Sequence, residues 1–164
     1  MARLCFALLV SIAAVAQATV LPAARLIDVL PSLVLVLVLL WAALRGVAEG
    51  VVWVFAVGIL LDTLAVDPLG TNGLALLPAI LLAGPARRRF FHSGMVLPLV
   101  LTIVATLAHA LLLSLLRTIG HPEVALAPGA VLRIGVLQAL LNALLVPPAY
   151  LVAGRMNRWM GETA

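Results

Sequence analysis

The chain has no lysine, one cysteine, few aromatic residues (5%) and few charges of either sign (10%). Each shortage excludes something. Cys5 alone cannot form an internal disulfide, and no Cys/His spacing suits a metal ion. Scarce charge excludes a soluble globular domain, because a 164-residue chain that is 65% hydrophobic cannot cover a water-facing surface. The net charge of +4 comes without a basic face interleaved with aromatics, so no nucleic-acid surface is expected. Nucleophile–base pairs and Gly-rich phosphate loops are missing too. The three histidines are scattered, and Ser11, Ser32, Ser93 and Ser114 have no base placed to pair with them. No catalytic residue, metal or cofactor is therefore expected, and the chain is read as a non-enzyme.

What the chain does have is apolar runs. Runs of roughly 18 residues or more read as bilayer spans. In lipid the backbone must pair internally, which leaves helices or a closed barrel. A barrel would alternate apolar and polar residues. Here the runs are continuous, as in LVLVLVLLW from Leu33, so the expected class is an all-α integral membrane protein forming one polytopic domain. Six spans are expected, near residues 4–24, 26–44, 47–66, 73–86, 94–116 and 130–153. The first imitates a signal peptide with small residues at Ala14, Ala16 and Ala18, but its apolar character continues past them, which favours an uncleaved span. The fourth looks short, contains Pro78 and ends at Gly84-Pro85. Pro147-Pro148 should interrupt the sixth.

All ten basic residues are arginine, and they lie mainly between the runs. With both termini inside, Arg3, Arg45, Arg87, Arg88, Arg89, Arg155 and Arg158 fall inside, and Arg25, Arg117 and Arg133 outside. That asymmetry follows the positive-inside bias and predicts cytoplasmic termini. Phe90 and Phe91 would then lie at headgroup level, while Trp41, Trp53 and Trp159 read as interfacial or packing residues. The longest loop, Thr118 to Gly129, offers only His121 and Glu123, too few for a metal site.

The rest is organised around the stretch from Glu49 to Gly73: an apolar helix carrying Gly58 and Asp62, then a turn at Asp67-Pro68-Leu69-Gly70. In that turn Asp suits the first position, Pro the second and Gly the fourth. Thr71 or Asn72 is placed to cap the next helix. Asp62 lies near the C-terminus of its own helix, where the macrodipole disfavours a carboxylate. It therefore needs a tertiary partner: a donor side chain, the N–H groups of the following turn, or an arginine. Other polar groups interrupt the runs. Thr102, Thr106 and His109 share a helical face, and Gln138 and Asn142 share another. Antiparallel placement puts Thr106 at the depth of Asn142 and His109 at that of Gln138. Gln17, Asp28 and Ser32 fall in the same half. Two readings stay open for this set: a buried seam of interhelical hydrogen bonds, or a polar cavity opening outward.

Three features resemble the bacterial rod shape-determining protein MreD family. They are Pro31 opening an aliphatic run that ends at Arg45-Gly46, the Gly50…Gly58…Leu61-Asp62 helix, and the turn Pro68-Leu69-Gly70-Thr71-Asn72-Gly73-Leu74. The sequence departs from the family at Ser32, where an acidic residue often follows the proline; Asp28 lies one turn earlier. The resemblance implies a scaffold of the rod-shape (elongation) machinery in the bacterial inner membrane, acting in peptidoglycan synthesis and cell shape. The partner it implies is MreC, with MreB, RodA and the elongation-specific penicillin-binding protein in the wider assembly. The implied fold is similar to the substrate-binding subunits of energy-coupling-factor vitamin importers. An importer subunit is accordingly the alternative function.

Overall fold

The computed structural model describes residues 2–20, 29–90, 94–120 and 126–161. Among them are six helices: α1 (Ala2–Val15, continuing as a π-type turn over Ala16–Val20), α2 (Leu33–Arg45), α3 (Val47–Ala65), α4 (Thr71–Phe90), α5 (Val96–Gly120) and α6 (Pro128–Gly161). Four of these stretches are long and apolar enough to cross a bilayer: Arg3–Val20, Val47–Ala65, Val96–Gly120 and Pro128–Val152.

The other two helices make the centre. In α2, 10 of 13 residues are buried, from Val34 to Leu44. A helix that is apolar on every side belongs inside a bundle. It is ~20 Å long at 1.5 Å per residue, short of a ~30 Å hydrocarbon core. Its neighbours are α1, α3, α4 and α6. Helix α4, with Asn72, two prolines and an arginine run, buries Ala75, Leu76, Ala79, Ile80 and Ala83 against α2 and α3. The outward faces stay apolar: Leu8, Ile12, Val52, Ile59, Val100, Leu111, Leu140 and Leu144 are all exposed. A water-soluble protein avoids a surface of that kind.

Side-chain pairings give the direction of each helix. Phe6 meets Trp41 and Gln17 meets Val34, so α1 and α2 are antiparallel. A single residue, Gly46 (φ +95°), turns α2 into α3. Gly58 lies against Gly73, and Gly50 against Ile80, which makes α3 and α4 antiparallel. His109 reaches Ala75, and Asn142 reaches Thr106, which continues the alternation through α5 and α6. One end of the bundle therefore gathers Arg3, Arg45 and Arg87, here called the basic end. The opposite end gathers the starts of α2 and α4 and is called the capped end.

Several expected boundaries change. The fourth helix is 20 residues, not a short 73–86 segment, and runs through Pro78 and Pro85. Packed neighbours tolerate the carbonyls that such prolines leave free. Likewise α6 continues through Pro147 and Pro148 and extends to Gly161. The second helix starts at Leu33 rather than 26, because Pro31 keeps the preceding residue out of helical geometry and Ser32 caps the start. Residues 21–28, with Arg25 and Asp28, lie outside the described residues, as do Phe91, His121 and Glu123.

Candidate functional site

The capped end is built from two helix starts that lie inside the bundle. Each leaves N–H groups that have no partner within their own helix. Buried donors of this kind need acceptors, and four polar side chains from the apolar runs, Gln17, Ser32, Asp62 and Asn142, supply them.

The first start is that of α4. Asp62, with no exposed surface, sits one turn before the end of α3 and points its carboxylate at the next helix. Its Oδ2 accepts from Gly70 N (2.6 Å), and its Oδ1 accepts from Asn72 N and Asn72 Nδ2 (both 2.8 Å). Of the partners open to Asp62, the structure contains two: the N–H groups after the turn and a donor side chain, that of Asn72. The carboxylate sits on the positive end of the α4 dipole, which offsets its unfavourable place in α3. The main chain of Asp62 also works: its carbonyl accepts from Val66 and Asp67 and closes α3. One residue thus ends one helix with its backbone and begins the next with its side chain.

This corrects two expectations. Thr71 is already helical and Asn72 follows it, so neither is the cap; Asp62 supplies the capping oxygens from the previous helix. The hydrogen-bonded turn also lies one residue later than expected, with Thr71 N donating to Pro68 O (3.1 Å). Gly70 is then its third residue, not its fourth, and has φ +94°. A positive φ at that position is where glycine is required. Leu69 projects outward. Asp67 accepts from Asn72 Nδ2 (3.1 Å) and takes both Nε and Nη2 of Arg117 (3.2 and 2.6 Å), which ties the turn to α5. Pro68 lies beside Gly120 at the end of α5.

The second start is that of α2. Ser32 N donates to Asn142 Oδ1 (2.7 Å), Val34 N to Gln17 Oε1 (3.2 Å), and Leu35 N to Ser32 Oγ (3.4 Å). Gln138 Nε2 donates to the carbonyl of Leu30, just before the helix (3.1 Å). Amides from α1 and α6 thus complete the start of a helix buried inside the bundle. Asn142, fully buried, also donates to Thr106 Oγ1 (3.0 Å). The Thr106 hydroxyl is free to accept because its own proton goes to Thr102 O, as that of Thr102 goes to Pro98 O. Replacing Asn142 with leucine leaves Ser32 N without its acceptor. Thermal unfolding in detergent should show a loss of ~1–3 kcal/mol, the usual cost of one stranded buried donor.

His109 does not meet Gln138, although their depths correspond. Its Nδ1 lies 3.0 Å from Ala75 O in α4. A carbonyl only accepts, so Nδ1 carries the proton. The polar set forms a seam in which donors and acceptors are matched to backbone groups. Its hydrogen bonds run within and between helices.

At the basic end, Arg45 and Gly46 form the α2–α3 corner, and Arg45 stacks over Trp41 (5.7 Å). The motif in the sequence marks Arg45 and Gly46 but not the aromatic cluster and ion pair beside them. Trp41 is 1% exposed and stacks on Phe6 (4.1 Å between centroids), with Trp53 edge-on to both rings. Arg3 and Glu49 form an ion pair beside them (2.5 Å). The signal available was Glu49 itself, an acidic residue in the first turn of an apolar helix, with Trp53 one turn on and two more aromatics, Phe6 and Trp41, on neighbouring runs. The side chains of Arg88, Phe90 and Trp159 lie outside the described residues.

Apolar outer faces around a bundle whose interior polar groups close its own helix ends define a multi-pass membrane protein. The chain belongs to the rod shape-determining protein MreD family, whose model matches residues 1–154. Membership implies a role in determining rod shape. No curated protein and no solved structure matches the chain.

Proposed function

We propose that this chain is a non-enzymatic scaffold of the rod-shape machinery in the bacterial inner membrane. All six helices would cross the bilayer in the arrangement that the resemblance to importer subunits implies. The basic end would face the cytoplasm with both termini, and the lipid-facing surfaces would hold MreC. MreB, RodA and the elongation-specific penicillin-binding protein would connect through that pair to peptidoglycan synthesis.

The observation that carries this reading is the use of the interior polar groups. Asp62, Asn72, Gln17, Ser32, Gln138 and Asn142 are engaged with helix ends. Groups so engaged hold a shape. An importer subunit would need some of them turned toward a ligand, so the geometry favours the scaffold.

Depletion of the chain in a rod-shaped host should round the cells, and expression of the intact chain should restore rods. MreC should co-purify with it from detergent-solubilised membranes. Rods that persist after clean deletion, with MreC levels unchanged, would sink the proposal.

A further inference from the structure

A cavity of about 290 Å³ opens between α1 and α6, with α2 as its floor. Its walls are Phe6 and Leu9 from α1, Leu40 and Leu44 from α2, and Ala149 and Val152 from α6, with Trp41 at its base. The lining is almost wholly apolar. In a bilayer this is a lateral crevice shaped for hydrocarbon, not for a polar solute.

Each wall ends in an arginine on the same side. Arg3 precedes Phe6 by three residues, Arg45 follows Leu44 directly, and Arg155 follows Val152 by three. Residues three apart on a helix share a face. Arg3 and Arg155 therefore stand about one turn beyond the apolar lining, as does Arg45 four residues after Trp41, all at the basic end. Arg3 is engaged by Glu49. Arg45 is held over Trp41, and its Nε has no hydrogen-bond partner among the described residues. Arg155 is exposed. Two cations thus stand beside the mouth of an apolar slot, and the carboxylate described near Arg45, that of Glu49, is ion-paired with Arg3 and balances only one of the cations gathered there.

We propose that this crevice is a binding site for an anionic phospholipid, with one acyl chain lying along α2 and the phosphate held by Arg45 and Arg155. Charge complementarity selects the occupant. A zwitterionic lipid brings its own ammonium beside the phosphate and leaves the two cations uncompensated in net charge, and a partner's apolar helix would leave them unpaired. Basic pockets between membrane helices bind anionic headgroups on this principle. The site rests on the chain's place in a membrane but not on its role in cell shape.

The test uses the full chain in nanodiscs holding equal amounts of dioleoylphosphatidylglycerol and dioleoylphosphatidylcholine, with retained lipid read by native mass spectrometry. The intact chain should retain phosphatidylglycerol preferentially. Arg155→Gln, an exposed change that should fold normally, should lower the preference about fivefold, as expected for one interfacial cation. Val152→Trp, which fills the slot from an exposed position, should remove retention of both lipids. Arg133→Gln, at the opposite end, should change nothing. Equal retention of the two lipids would overturn the proposal, as would a preference that Arg155→Gln leaves intact. Lipid retention unchanged in Val152→Trp, with MreC co-purification lost, would assign the crevice to a partner helix instead.

Discussion

Asp62→Ala should be the most damaging single substitution in the chain. It strands Gly70 N and Asn72 N at the helix start and leaves Asn72 Nδ2 only its longer bond to Asp67, whereas all three now donate to one carboxylate. A stranded buried donor costs about 1–3 kcal/mol, which puts the combined loss at about 3–5 kcal/mol. Chains unfolded within a membrane also find hydrogen-bond partners, which moves the expectation toward the lower figure. Even ~3 kcal/mol is a large part of a typical stability of ~5–15 kcal/mol. Asp62→Asn should recover little. Both carboxylate oxygens are acceptors here, and an amide would set an NH₂ against an N–H on one side. The measurements are thermal unfolding in detergent and rescue of rod shape in depleted cells. Near-native stability for Asp62→Ala would remove the capping account. Arg117→Gln provides the contrast: the Arg117–Asp67 pair is partly exposed, with the arginine side chain 41% accessible. Solvent screening limits such a pair to ~0.2–1 kcal/mol.

Gly58→Ala is the second large effect expected. A Cβ at this position falls on the Cα and N of Gly73, which are backbone atoms that cannot rotate away. Helices α3 and α4 would have to separate, at a cost of ~1–3 kcal/mol for overpacking. The damage should also spread. Asp62 is one turn beyond Gly58 on the same face, and Asn72 precedes Gly73, so the close crossing is what brings the carboxylate within reach of its donors. Gly58→Ala and Asp62→Ala should therefore be less than additive in a double variant. Gly73→Ala should be milder, because its Cβ meets the ring of Phe55 at 3.3 Å, and that ring can shift. Equal effects at Gly58 and Gly73 would show that the backbone approach is not what matters. Unfolding curves of the three variants are sufficient to decide.

Small residues at four-residue spacing are common in so alanine-rich a sequence, and spacing alone does not rank them. Gly58 stands out only when its neighbour across the interface is known to be another glycine. Hydropathy likewise finds the α2 region without finding its start. The aliphatic run reads as helix from residue 26, yet Pro31 and Ser32 move the start to Leu33. A run that is apolar throughout carries no periodicity to mark where a helix begins. The turn after α3 was recognisable from its residue types, but its register was not. Pro68 and Gly70 fit two adjacent frames, and the choice between them came from Asp62, eight residues before Gly70. Val66, left-handed at φ +59°, had no sequence signal at all, since valine is a poor candidate for that geometry.

By itself the sequence determined the solvent. A chain this apolar, with charges gathered at the ends of its runs, can live only in lipid as helices, and its polar side chains must be matched inside. The tertiary structure decided with what they are matched. Asp62 binds backbone donors at the start of the next helix, while Gln17 and Asn142 bind those at the start of α2 from α1 and α6, because two helices begin within the bundle where water cannot satisfy them. That demand arises from how far each helix reaches across the assembled bundle. No single segment records it.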